Sequence, residues 1–316
     1  MKIKRALPPI AFAVASLAAG CGGKATPVAR VEVNPHQVRL PFSQAQTLHL
    51  TWTPTAALDD DQPTVFIHLL DDRRKVARTF DHAFPQHWRE GTPVSYDVKL
   101  YQSAMAPPLP AGKYELTLGL YGKDRKRWAL DGLGEPVGRD EYKVAEVEAP
   151  AQRPNPRFAF SNAWQPAEAG GDRQVLARRW MAERAVIRLV NQRGPGTVWM
   201  VVQVPETKSS DYKVVLDPGA TEPSVMAVGS CGHGEANLTG SGLHDAELAM
   251  EAPPPGGFCR VLLTSNFVLE PSIAGRKRSV SLENIAWVPA GGGRKAGGGR
   301  RARHQGQKPA APAAPQ

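Results

Sequence analysis

Most of what announces an enzyme is missing from these 316 residues. There is no Gly-x-Ser-x-Gly elbow, no Walker phosphate loop, no His-Glu-x-x-His and no paired Cys-x-x-Cys. Those absences remove the readings that such local motifs would carry: serine hydrolase, nucleotide hydrolase, zinc protease and dithiol redox protein. No metal or cofactor is expected, because no ligand set has the right spacing. Asp59-Asp60-Asp61 lacks the spaced oxygen ligands and the glycine of a calcium loop and reads as a solvated turn. The basic excess is also missing where it would count. The formal charge is +9, yet nine of the 39 Lys and Arg residues lie in the first five positions and from Arg294 onward, in segments without acids. The remaining 30 face 30 acids, so the body is neutral and no nucleic-acid partner is expected. The apolar run Ala6 to Gly20 falls short of the roughly 20 residues that a spanning helix needs.

That run instead has the form of an export signal. Lys2, Lys4 and Arg5 precede it, and it ends Leu17-Ala18-Ala19-Gly20-Cys21. Small residues before a cysteine resemble the bacterial lipobox, in which the cysteine takes lipid and becomes the new N-terminus. Ala18 stands where leucine is commoner, and an ordinary cleaved signal with a nearby cysteine is the alternative. Residues 1–20 are therefore expected to be the signal, Cys21 the palmitate-bearing membrane anchor, and 21–28 a tether. Gly22, not Asp, follows the cysteine, which favours the outer over the inner membrane under the enteric sorting rule.

Beyond the tether the periodicity is that of strands. Leu48, Leu50 and Trp52 alternate with polar residues, as do Val94, Tyr96, Val98 and Leu100, and then Tyr114, Leu116, Leu118 and Leu120. Val65 to Leu70 is followed by the turn Asp71 to Lys75 and a returning strand, Val76 to Phe80. Turns recur about every ten residues, which predicts an antiparallel sandwich over 29–147. Phe66 to Asp71, Trp88, Gly91 and Pro110 to Leu116 resemble an immunoglobulin-like module of the kind appended to bacterial membrane glycosyltransferases. After a Glu148–Pro156 linker, strand signals resume at Ala185 to Val190, Val198 to Val204, Tyr212 to Leu216 and Val261 to Leu263. Trp164 to Glu168, Arg179 to Met181 and Thr264 to Val268 are similar to the start and later strands of a jelly-roll, carbohydrate-binding-module-like sandwich, expected over 157–289. The fold expected is all-β, two antiparallel sandwiches in series. Residues 290–316, rich in Gly, Arg, Ala and Pro, are expected to be disordered. Their charge would either draw them to anionic surfaces or merely solubilise the chain.

With Cys21 assigned to lipid, Cys231 and Cys259 remain. In an oxidising envelope they are expected to form a disulfide, two buried thiols being the alternative. His233, in Gly229-Ser230-Cys231-Gly232-His233-Gly234, has no ligand set nearby. His68 and His82 could meet across a hairpin but read as structural. The seven tryptophans carry the one positive signal, because sugars stack on exposed indoles. Trp52, Trp180, Trp199 and Trp287 lie in strand context and read as core. Trp88, Trp128 and Trp164 sit beside turns or charges and are the expected binding platform. The function these features imply is a non-catalytic envelope protein that binds a glycan or a protein partner, the alternative being a structural or assembly lipoprotein subunit of an envelope complex acting through protein–protein contacts. An unrecognised hydrolase would need carboxylates or histidines converging in a pocket.

Overall fold

The computed structural model describes residues 25–290, except 61, 135, 152–154, 170–176, 208, 210 and 274. The expected signal, the expected lipid-bearing Cys21 and the tail from 291 lie outside the described residues. The chain is all-β, as expected, and no helix occurs among the described residues. The first half contributes β1 (Ala29–Asn34), β2 (Gln37–Arg39), β3 (Ala45–Pro54), β4 (Thr64–Leu70), β5 (Val76–Thr79) and β6 (His82–Ala83). It continues with β7 (Val94–Tyr101), β8 (Gly112–Tyr121), β9 (Arg127–Trp128), β10 (Leu130–Asp131), β11 (Pro136–Gly138) and β12 (Glu141–Ala149).

These strands form two sheets, ordered β10-β1-β3-β7 and β11-β12-β8-β4-β5, with β2, β6 and β9 on the flanks of the second. Alternation decides which face turns inward. In β3, Leu48, Leu50 and Trp52 are buried while His49 and Thr53 are exposed. Val31, Leu50, Trp52, Ile67, Leu116 and Leu118 meet in one core between the sheets.

The second half contributes β13 (Arg157–Phe160), β14 (Glu168–Ala169), β15 (Ala177–Trp180), β16 (Arg184–Val190), β17 (Gly196–Val204), β18 (Lys213–Leu216) and β19 (Ser224–Gly229). It ends with β20 (Glu235–Thr239), β21 (Gly242–Met250), β22 (Cys259–Ser265), β23 (Phe267–Ile273), β24 (Arg276–Arg278) and β25 (Ser281–Pro289). One five-stranded sheet runs β13-β16-β22-β19-β20, and the facing sheet runs β14-β15-β25-β17-β21. A second core fills the space between them, built on Ile187, Leu189, Met200, Val202, Leu248, Val261 and Ile285. The expected disulfide is present: Cys231 and Cys259 are joined, with Cα atoms 5.5 Å apart.

The two halves meet through backbone as well as side chains. The Trp287 amide donates to Ser43 O at 2.8 Å, and the Ala104 amide donates to Ile285 O at 2.8 Å. Segments of the first half thus pair with the border of β25 beyond the end of β15. Beside this seam, Tyr101 packs on Trp199 with ring centroids 4.8 Å apart. Asn284 donates to the Tyr101 hydroxyl at 3.1 Å, and Lys99 pairs with Glu247 at 3.2 Å. The connector is held at its ends. β12 runs on to Ala149, and the carbonyls of Asn155 and Pro156 accept from the side chains of Gln44 and Ser43.

Candidate functional site

The expected aromatic platform does not form, because each of its three rings points inward. Trp88, Trp128 and Trp164 are only 6%, 7% and 5% exposed. The loop bearing Trp88 folds back on the sandwich, where the indole donates to Ala56 O at 3.0 Å and packs near Phe84 and Trp52. Trp128 lies on β9 directly opposite Leu120 and joins the first core. Trp164 donates to Val186 O at 3.2 Å and packs edge-on against Phe160. Neighbouring turns and charges misled here: Lys126 lies 5.9 Å from the Trp128 ring, so the charge flanks a buried indole.

The least buried indole is instead Trp180, which the sequence places in strand context and which is half-buried against the second core. It stands on β15 opposite the buried Ser281 of β25, on a border strand whose four residues are all half-buried. Six of the seven tryptophans are buried, and Trp180 is not. Its N–H donates to Glu168 Oε2 at 3.2 Å. Arg278 lies over the ring at 5.1 Å, donating to Glu168 Oε1 at 2.6 Å and to Gln165 Oε1 at 3.1 Å. Two residues back on the same face, Arg178 Nε lies 3.3 Å from Glu283 Oε2. Ser281 donates to the other oxygen of Glu283, which is buried. Arg178 Nε and Glu283 Oε2 attract as charges, but neither makes a hydrogen bond. An indole, two guanidinium–carboxylate pairs and an amide therefore converge on one corner of the second sandwich. Planar polar groups beside a ring can hold hydroxyls in fixed directions. Strand periodicity alone could not reveal this, because Glu168 reaches Trp180 through the pairing of β14 with β15, Gln165 through its amide hydrogen bond to the Trp180 carbonyl, and Arg278 from the residues that lead into β25.

A second charged cluster lies on the outer face of the first sandwich. His68 on β4 sits 3.6 Å from Asp81 and 3.5 Å from Glu141, and Glu141 also takes a hydrogen bond from Thr117 at 2.6 Å and pairs with Arg127 at 3.3 Å. Burial alone would lower the His68 pKa, but the two carboxylates overcome it and raise the pKa to about 9. His68, against the opposing effect of burial, and then Thr117 and Arg127 hold Glu141 down at about 2. Near neutral pH the histidine is thus charged and holds its proton, and the carboxylate is too weak a base to remove one. This is an ionic clasp across β4, β8 and β12. His82 does not approach His68. It faces Tyr96, whose hydroxyl lies 2.9 Å from Nε2, and burial lowers its pKa.

Other sequence candidates are used in turns. Asp60 accepts from the Gln62 and Lys123 amides, while Asp61 lies outside the described residues. Among the described residues, no group of three or more His, Cys, Asp or Glu is placed to hold a metal ion. Grooves of about 420 and 580 Å³ beside Asn34 and His49 contain no Trp, Tyr or Phe.

No protein-family model matches the chain, and no curated protein matches it. Among solved structures it is similar to Salmonella alpha-2-macroglobulin reacted with methylamine, at 12% identity over 83% of this chain and 15% of that one, with a TM-score of 0.21. The native conformation of E. coli alpha-2-macroglobulin is similar at 12% identity, over 85% of this chain and 14% of that one, again with a TM-score of 0.21. A chaperone–tip adhesin complex of CFA/I fimbriae is similar at 8% identity, over 82% of this chain and 97% of that one, with a TM-score of 0.19. The chain spans about 15% of the length of the Salmonella macroglobulin chain. Likeness at these TM-scores carries no inference about activity.

Proposed function

We propose that this chain is a non-catalytic, lipid-anchored binding protein of the bacterial cell envelope, and that it takes a glycan at the Trp180 corner. The observation that carries the reading is that Trp180, half-buried, is the one tryptophan of seven that is not fully buried, and that it lies among Gln165, Glu168, Arg178 and Arg278. The C–H face of a sugar would stack on the part of the indole that stays solvent-accessible. Its hydroxyls would meet the guanidinium and carboxylate groups. Anchorage rests on Cys21 and its lipobox-like setting, and Gly22 favours the outer membrane.

The test is binding of the full chain carrying Cys21→Ser to a panel of bacterial envelope glycans. Saturable binding is expected, and Trp180→Ala should weaken it about tenfold by removing the stacking surface, while the variant stays folded at the assay temperature. Binding that is unchanged in Trp180→Ala would reject the site. A protein partner is the second reading, and a specific feature favours it. β21 is a nine-residue border strand carrying Leu243, which is 63% exposed, and such borders accept added strands.

A further inference from the structure

The second sandwich has one sheet whose outer face meets the first half, through Trp199, Ala286 and Val288. The outer face of its other sheet, β13-β16-β22-β19-β20, is open. The pairing registers fix which side chains share that face. Arg188 stands directly opposite both Ala159 and Arg260, Arg184 opposite Thr264, and Arg157 opposite Val190. Val186, Leu262 and Val228 form the next row, with Met226 beside them. All four arginines are exposed, and among the described residues none of them pairs with a carboxylate. The one acid in these rows is Glu235, on the border strand β20.

Two features of this face cost stability in isolation. Like charges directly opposite each other, as at Arg188 and Arg260, repel across the strands. Large apolar side chains are also left in water: Met226 is 52% exposed, and Phe258, beneath the Arg188 guanidinium at 5.5 Å, is 49% exposed. Both costs disappear against a surface that offers phosphates at one level and hydrocarbon just below it. Guanidinium forks match phosphate geometry, and Phe and Met side chains suit the boundary beneath the headgroups. A pleated sheet face is also broad, as a bilayer is, rather than grooved like a site for a single polymer chain.

We infer that this arginine-rich face docks the second sandwich onto an anionic phospholipid surface. The inference does not rest on the glycan reading, since the Trp180 corner belongs to the other sheet. The experiment is co-flotation of the full chain carrying Cys21→Ser with phosphatidylcholine vesicles or with phosphatidylcholine–phosphatidylglycerol vesicles. Each basic side chain at an anionic bilayer contributes about fivefold to partitioning, so Arg184→Gln/Arg188→Gln/Arg260→Gln should lower partition onto the anionic vesicles by about a hundredfold. Partition onto phosphatidylcholine should not change. The corresponding triple Arg→Lys variant should keep most of the binding. Removing equal charge from the first half, with Arg73→Gln/Lys75→Gln/Lys113→Gln, should have little effect. Equal flotation of the parent and the Gln variant, or an equal loss in the first-half control, would overturn the inference.

Discussion

At the scale of single residues, the clasp around His68 ties stability to pH. His68 has a folded pKa raised to about 9, so its contribution is complete below about 6.5 and is lost as pH rises through about 9. Glu141 has a folded pKa lowered to about 2, so its contribution is present above its ordinary value of 4.5 and fades as pH falls through about 2. Both side chains are mostly shielded from solvent, which keeps salt from screening the pair away. His68→Gln should cost about 2 kcal/mol near pH 6 and close to nothing near pH 10, as read by urea unfolding at both values. An equal cost at both would mean that packing, not charge, is what His68 supplies. This clasp was only half legible in the sequence. His68 could be singled out, but Asp81 and Glu141 reach it from β-pairings that no local pattern encodes. The tryptophans teach the same lesson in reverse. Adjacent charge suggested that Trp88 and Trp128 are exposed, whereas both are buried and the least buried indole, Trp180, lies on the border strand β15.

At the scale of elements, strands whose apolar residues recur at every second position were readable. β3, β7 and β8 follow the alternation of Leu48-Leu50-Trp52, Val94-Tyr96-Val98 and Tyr114-Leu116-Leu118. β25 was not, and two reasons are visible. It is buried on both faces from Ser281 to Trp287, so polar and apolar residues do not sort. Its pairing with β17 also shifts register between Val201 and Val202, leaving Glu283 as the additional residue and breaking the period of two. The cysteine pair was legible from count, under the expectation of an oxidising compartment. It ties the β19–β20 loop to the start of β22 across a sequence separation of 28. Replacing both cysteines with alanine should lower stability by about 3 to 4 kcal/mol in the chain-entropy account. Equilibrium unfolding under non-reducing conditions reads this directly, and a loss under about 1 kcal/mol would show that the reduced chain is already held together near that loop.

At the scale of the whole molecule, two cores are joined by a seam that no sequence pattern announced. Tyr101 on Trp199, Asn284 to Tyr101, and the backbone bonds of Ser43 and Ala104 make the halves neighbours rather than beads on a string. Scanning calorimetry of the parent chain should therefore give one cooperative transition. Tyr101→Ala, which removes both the ring contact and the Asn284 partner, should separate it into two. Two transitions in the parent itself would mean that the seam couples the halves too weakly to matter.

The position of β25 in both sequence and space carries a consequence for how the molecule is made. It is the last strand among the described residues, yet it lies inside its sheet, with β17 on one side and β15 followed by the Ser43 and Ala104 segments on the other. A chain that leaves the ribosome or crosses a membrane N-terminus first must hold that slot open until residue 289 arrives. Assembly ends with a keystone entering from the C-terminal end, and every earlier strand of that sheet waits for it.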